Sequence, residues 1–268
     1  MSCSNVHTIT SMQSSSSVPP LGMLDARSVD VWAVQLSASD AVVERCSEIL
    51  SPDERVRANR YRFEDHRRSY ILSRWVLRTL LACYVSVPPA DIQFSYGKRG
   101  KPKLSRVTTD IRFNSSRSAD VALYAVTRHC ELGVDIEKVR SLWDMRQIAD
   151  QFFCRQEAHE LLSLPAAERN SAFFSCWSRK EAYIKAVGDG LSMPLNRFRV
   201  TLKPNDPVEV VHIGDDRQVA REWTLQNIAI VPGYAAALAY HDARRSVREA
   251  PFMTTSEVLA FLGAYNRR

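Results

Sequence analysis

The stretch LGVDIEKVR, Leu132 to Arg140, decides how the rest of the chain is read. A short apolar run of this kind predicts a buried strand, yet it carries two carboxylates. Successive strand side chains point to opposite faces, so Val134 and Ile136 share one face while Asp135 and Glu137 share the other. One face is core and the other is acidic. Two like charges that close repel each other unless something positive stands between them, so the strand requires a cation or a basic side chain as partner.

A second stretch, FFSCWSRKEAYIKAVGDGL from Phe173 to Leu191, supplies what the first lacks. Its spacing predicts a helix from about Asn170 to Val187, ending at Gly188. Trp177, Glu181 and Lys185 then lie at i, i+4 and i+8 and form one stripe. Alone, that stripe fits a core tryptophan beside an exposed Glu/Lys pair, and Asp135 with Glu137 fits surface ion pairs as well as a metal site. Together, three carboxylates without Cys or His make a hard oxygen donor set, suited to Mg²⁺ rather than zinc. Magnesium shares its shell with substrate phosphates, and Lys185 would face the same phosphates as a point charge. The constellation points to phosphoryl or phosphate-ester chemistry.

The chain has cations to hold such a substrate. Lys plus Arg outnumber Asp plus Glu, 36 against 30, and the net charge of +6 favours acidic partners: nucleic acid, phosphorylated small molecules or an acidic protein. Arginines crowd the region from 55 to 78, among them Arg57 and Arg68, most of them readable as a solvated helix face. A second group, Lys98, Arg99, Lys101 and Lys103, sits in a loop whose Gly97, Gly100 and Pro102 permit close backbone approach to a ligand. Neither a Walker loop nor a G-x-G-x-x-G turn is present, which excludes the common nucleotide-triphosphate folds. The six cysteines are scattered without a C-x-x-C pair and read as reduced thiols of a cytoplasmic protein. Residues 1–24 are Ser-rich and lack Lys, Arg, Asp and Glu, so they read as a flexible tail rather than a signal peptide. No run is long and apolar enough for a membrane span.

Patterning gives the organisation. A strand is expected at Val29 to Leu36, and a helix is expected to start at Ser51 and Pro52. A second helix carries Leu72, Trp75, Val76, Leu80 and Cys83 as its buried stripe. A strand at 91–96, the basic loop at 97–104 and three strands between 111 and 137 follow. Residues 141–187 are mostly helical, and strand signals return at 197–202, 208–213, 221–230 and 234–240. The order predicts an α+β fold of two similar lobes, 25–134 and 135–245, meeting near Asp135. Residues 246–268 read as a C-terminal extension with a peripheral helix from about Thr255. A single chain that forms the inter-lobe site by itself is expected to be a monomer.

The ordered set of motifs resembles the 4′-phosphopantetheinyl transferases of the Sfp type, named for the surfactin-pathway enzyme. The motifs are GKP at Gly100 to Pro102, FNSSRS at Phe113 to Ser118, GVDIE at Gly133 to Glu137 and WSRKEAYIKAVGDGL at Trp177 to Leu191. The SPDERVR, FEDHRRSYILSRWVLR and PGYAAALA stretches are similar as well. Any one of these is weak evidence, and the set in order is specific.

The resemblance implies transfer of the phosphopantetheine arm of coenzyme A to a serine of an acyl or peptidyl carrier protein, releasing adenosine 3′,5′-bisphosphate. It implies Mg²⁺ on Asp135, Glu137 and Glu181, with Lys185 steadying the pyrophosphate and Glu181 or a metal-bound water taking the serine proton. Arg57, Arg68, Gly100, Lys101, Pro102 and Ser116 match coenzyme A-binding positions. Arg117 stands where the family pattern F-N-x-S-H-S places a histidine; a guanidinium also holds phosphate, but it does not titrate near neutral pH. The alternatives are a catalytically weak relative that binds coenzyme A or carrier protein, and a Mg²⁺-dependent phosphodiesterase. A nucleic-acid-binding reading lacks any RNP, KH or zinc-finger signature.

Overall fold

The computed structural model describes residues 24–265, apart from 189–192, 204, 215 and 243. The Ser-rich tail before residue 24 and the end of the long-helix motif at 189–191 lie outside the described residues. Within them the chain runs one series of elements twice. The first pass is β1 (Ser28–Gln35), helices α1 (Asp40–Ile49) and α2 (Pro52–Ala58), and the 22-residue α3 (Glu64–Val85). A hairpin of β2 (Gln93–Tyr96) and β3 (Pro102–Ser105) follows, then β4 (Ile111–Ser118) and β5 (Val121–Arg128). The second pass is β6 (Leu132–Lys138), α4 (Met145–Phe152), α5 (Arg155–Ser163) and the 22-residue α6 (Ala166–Val187). It continues through a hairpin of β7 (Phe198–Val200) and β8 (Val210–Ile213), the one-turn α7 (Arg217–Ala220), β9 (Trp223–Asn227) and β10 (Tyr234–His241).

Sheet order repeats too: β1-β5-β4 in the first lobe and β6-β10-β9 in the second, antiparallel throughout. The α+β architecture of two similar lobes is thus present. Alternation along the strands explains the layering. Trp32, Val34, Tyr124 and Val126 turn toward α3, while Val31, Ala33, Leu123 and Ala125 turn the other way, onto Val134, Ile136 and Leu238 of the second sheet. The opposite face of that second sheet, with Ala235, Ala237 and Ala239, packs on α6. The layers therefore run α3, sheet, sheet, α6, and both inner strands β1 and β5 are buried on two faces.

Four details differ from expectation. Helix α1, with Ser39 at its N-cap and Asp40 in its first turn, is not among the elements expected from patterning. Pro102, read as part of a loop, opens β3 opposite Tyr96, an edge position where its missing N–H costs nothing. Helix α6 begins at Ala166, one turn earlier than its apolar stripe announces. The C-terminal segment is not peripheral: β11 (Ser246–Glu249) and β12 (Met253–Thr254) pair in parallel with β1, and α8 (Thr255–Tyr265) packs against α3. Arg248 donates to the buried Asp30 at 2.7 Å, beside the Tyr84 hydroxyl at 2.7 Å, so the acid in the middle of β1 is satisfied from both sides.

Candidate active site

The site is built on one close approach. A Cβ on Gly133 would lie 2.2 Å from the Ala182 carbonyl oxygen and 2.3 Å from the Ala186 nitrogen, so only glycine lets α6 lie this near β6. Small residues on β10 extend the same shallow floor, with Ala237 opposite Asp135 and Ala235 opposite Glu137. Helix α6 therefore delivers Lys185 directly to the strand. Its Nζ donates to Asp135 Oδ1 at 2.6 Å and to Ser116 Oγ at 2.9 Å, while the Ser116 hydroxyl is 2.8 Å from the same carboxylate oxygen.

Asp135 is only 3 % exposed, and its Oδ2 has no hydrogen-bond partner among the described residues. Ser118 donates to Glu137 at 3.0 Å. Burial, and next the charge of Asp135, push Glu137 above the ordinary carboxylate range. Burial also pushes up Glu181, where Lys185 opposes the shift and Asp135 adds to it. Lys185 acts on all three of these half-buried to buried acids and Arg140 on Glu137 as well, yet Glu137 and Glu181 stay raised, so the positive charge at the corner falls short of their need.

Strand β4 joins this acidic corner to a basic cavity. Every second residue faces β6: Asn114 Oδ1 accepts from the Val134 N–H at 3.0 Å, Ser116 meets Asp135, and Ser118 meets Glu137. The intervening residues face α3, where Arg117 donates to Ser69 Oγ at 3.1 Å and to the Tyr61 hydroxyl at 2.8 Å. A cavity of about 270 Å³ opens there, lined by Arg57, Tyr61, Tyr70, Arg117 and Ser116 and closed at one side by Tyr96, Gly100 and Pro102. Two guanidiniums, of Arg57 and Arg117, lie 5.6 and 5.8 Å from the Tyr70 ring centroid. Neighbouring Arg74 and Arg78 both pair with the buried Glu54, at 2.5 and 2.6 Å, one carboxylate for two guanidiniums. The cation facing the cavity therefore comes from Arg57 and Arg117, with Arg74 also in its lining.

Of the residues singled out in the sequence, Asp135, Glu137, Glu181, Lys185 and Ser116 are gathered at the acidic corner, and Arg57, Gly100, Pro102 and Arg117 with Ser116 at the cavity. Two lie elsewhere. Arg68 donates to the Ala38 carbonyl at 2.6 Å and pairs with Asp40, in a separate depression lined also by Glu44 and Glu64. Lys101 turns its ammonium away from the cavity, toward the junction of the lobes. Ser118 at the acidic corner, and Tyr61 and Tyr70 at the cavity, were not among the expected site residues; the alternation of Asn114, Ser116 and Ser118 was the signal available for the first.

Comparison with known proteins follows the same division. The model of the 4′-phosphopantetheinyl transferase superfamily matches residues 131–239, and that of the 4′-phosphopantetheinyl transferase N-terminal region matches 35–129. The chain is 34% identical over 223 residues to 4′-phosphopantetheinyl transferase HetI of Nostoc sp., covering 82% of this chain and 91% of that protein. The chain belongs to the 4′-phosphopantetheinyl transferase family. It is also 30% identical over 167 residues to 4′-phosphopantetheinyl transferase Sfp of Bacillus subtilis, covering 62% of this chain and 73% of that protein. Among solved structures, the Thermotoga maritima holo-[acyl-carrier-protein] synthase aligns at 18% identity with a TM-score of 0.35, over 42% of this chain and 64% of that one.

As a 4′-phosphopantetheinyl transferase of the Sfp type, the protein moves the phosphopantetheine arm of coenzyme A onto a serine hydroxyl of carrier protein domains and releases adenosine 3′,5′-bisphosphate. The seam between the two matched models, at Cys130, falls between β5 and β6, where the second pass of the transferase fold begins. No helix among the described residues is long and apolar enough to cross a membrane.

Proposed function

We propose that this transferase works with Mg²⁺ held by Asp135, Glu137 and Glu181, and that the coenzyme A phosphates enter between this acidic corner and the cavity of Arg57, Ser116 and Arg117. The observation that carries the reading is Asp135 Oδ2, a buried carboxylate oxygen without a partner among the described residues. Such an atom is costly unless a cation meets it. Glu137 and Glu181, raised by burial, need the same compensation. The donors are all hard oxygens, which suits magnesium over softer metals. Among the described residues no group of three acidic, His or Cys side chains is placed to hold a metal ion by itself. Waters and substrate phosphate would have to complete the shell, as magnesium allows. When bound, Mg²⁺ would supply charge neutralisation and Lewis-acid polarisation of the pyrophosphate.

The chain's own residues do the rest. Lys185, kept near by Asp135 and Ser116, places its ammonium where charge develops on the departing phosphate. Arg117, fixed by Ser69 and Tyr61, retains N–H donors for a phosphate on the nucleotide side, and Arg57 adds a second guanidinium. Glu181 stands on the helix face directed at the corner and accepts the proton of the attacking serine. The serine oxygen–phosphorus bond forms as the pyrophosphate P–O bond breaks, and the nucleotide leaves as adenosine 3′,5′-bisphosphate. A cytoplasmic setting accords with the free thiols of Cys46, Cys83, Cys130, Cys154 and Cys176, and a monomer accords with a site built from both lobes of one chain.

The test is intact-mass spectrometry of an apo carrier protein incubated with the enzyme, coenzyme A and Mg²⁺. The expected gain is one phosphopantetheine arm, abolished by EDTA and restored by excess Mg²⁺. Asp135→Ala and Glu181→Gln are expected to lose roughly 100-fold or more in rate with circular dichroism unchanged. Full turnover in EDTA, or wild-type rates in either variant, would sink the metal assignment.

A further inference from the structure

The ammonium of Lys101 has three donors, and all three are taken. Nζ donates to Glu131 Oε2 at 2.9 Å, to the Leu132 carbonyl at 3.2 Å and to the Ala186 carbonyl at 2.9 Å. The side chain is 14% exposed, and its stem lies against Gly188, whose added Cβ would sit 3.5 Å from Lys101 Cδ. Burial pushes the lysine below its usual range, with Glu131 opposing and Lys103 and Arg112 adding to the shift, so the ammonium is held at a cost that its full set of acceptors offsets. Nothing is left over for a phosphate.

What the three acceptors belong to gives the residue its meaning. Leu132 begins β6, one residue before the glycine on which α6 rests and three before Asp135. Ala186 lies in the last turn of α6, where carbonyls have no partner within the helix and a cation is favoured by the helix dipole. Lys185, its neighbour in the same turn, reaches Asp135 from the other side. Lys101 itself sits in the turn of the β2–β3 hairpin, closed by Gly97 N–H to the Lys101 carbonyl at 3.1 Å and by Gly100 N–H to the Gly97 carbonyl at 2.9 Å. Gly100 adopts φ +83°, a left-handed conformation open to glycine. Tyr96, Gly100 and Pro102 of this hairpin form the wall of the cavity. One side chain therefore ties together the cavity wall, the acidic strand and the end of the helix that bears Glu181 and Lys185.

We propose that Lys101 is a positioning residue of the transferase: it fixes the hairpin that walls the cavity to the last turn of α6, so that the phosphate-facing wall and the Glu181/Lys185 helix face keep one register. This rests on the function proposed above for that site. It separates Lys101 from Gly100 and Pro102, which touch the cavity, although all three stand in one motif. Because it acts through Lys185 and Glu181, its loss moves the chemical step more than the affinity for coenzyme A.

The experiment uses the full chain carrying Lys101→Met, which keeps the apolar stem and removes the three donors. The expected result is a fall of about tenfold in kcat with KM for coenzyme A within about threefold of wild type. Hydrogen exchange in the ligand-free protein should quicken together at 97–103 and 184–188, which a residue that only contacts coenzyme A would leave unchanged. Glu131→Gln keeps an acceptor oxygen and loses its charge; about a two- to threefold fall in kcat in the same pattern is expected, and this variant decides the matter should Lys101→Met fail to fold. A raised KM with unaltered kcat and exchange would make Lys101 a coenzyme A ligand and overturn the proposal, as would no change in any of the three. Absence of EDTA-sensitive transfer by the wild-type chain would instead sink the reading of the site, while the exchange data would still report on the strut.

Discussion

Adding one methyl to Gly133 would test the site more severely than removing a charge from it. The atoms its Cβ would meet, 2.2 and 2.3 Å away, belong to the backbone of α6 and cannot rotate aside. Gly133→Ala must push the helix off the strand, at a cost expected near the upper end of about 1–3 kcal/mol. Glu181 and Lys185 would move with it, so transfer should fall by more than about tenfold. Urea unfolding and turnover measured together check this; a stable Gly133→Ala enzyme with the wild-type rate would mean that α6 can retreat without disturbing the acids. At this scale the alternation of Val134 and Ile136 against Asp135 and Glu137 was legible, because a strand's period of two is local. The need for glycine at 133 was not, since it arises from a helix some fifty residues away, and the same holds for the ammonium of Lys101.

A single element can serve two chemistries when its faces are divided. Strand β4 gives Ser116 and Ser118 to the acids and Arg117 to the basic cavity, so residues adjacent in sequence reach different parts of the site proposed for coenzyme A. Helix α6 divides in the same way. Its Trp177, Glu181 and Lys185 stripe was readable from spacing, but spacing alone assigns no role to the two cations between Trp177 and Glu181, Arg179 and Lys180. Both are buried, at 2% and 0% exposure. Arg179 donates to Asn227 at 3.0 Å and to the Thr201 carbonyl at 2.6 Å. Lys180 pairs with Glu157 at 2.8 Å and donates to the Leu195 and Phe198 carbonyls, while Glu157 also accepts from the Val200 and Cys154 backbone N–H groups. These bonds anchor the back of α6 so that its front can face the substrate. Lys180→Met, which leaves Glu157 charged in the core, is expected to cost about 3–5 kcal/mol. Adding Glu157→Gln, which removes the stranded charge but keeps an acceptor, should recover part of that loss. Guanidinium chloride unfolding of the single and double variants checks it, and a single variant within about 1 kcal/mol of wild type would show the pair to be dispensable.

The whole molecule is one lobe pattern used twice, and the sequence carried that pattern in the order of its elements rather than in any repeat of residues. What it could not carry was the return of the chain end. Strands β11 and β12 add to β1 in parallel, across more than two hundred residues, and parallel pairing leaves no hairpin signature to read. The consequence concerns the free edge of the first sheet. Without the segment from residue 246 onward, β1 would expose a row of unpaired backbone groups, the buried Asp30 would lose Arg248, and α3 would lose Val258 and Leu262 from its core. Truncation before Ser246 leaves every acid and arginine of the site in place, so a purely local view predicts an active enzyme. The layered view predicts otherwise: the first sheet carries β4, and β4 holds Ser116 and Arg117. The truncated chain is therefore expected to melt several degrees lower than the full chain and to aggregate on concentration, with transfer activity lost in proportion to the folded fraction. Thermal melts and light scattering on the two chains decide it, because an equal melting temperature would mean that the parallel strands only decorate a sheet that β5 and β4 already hold.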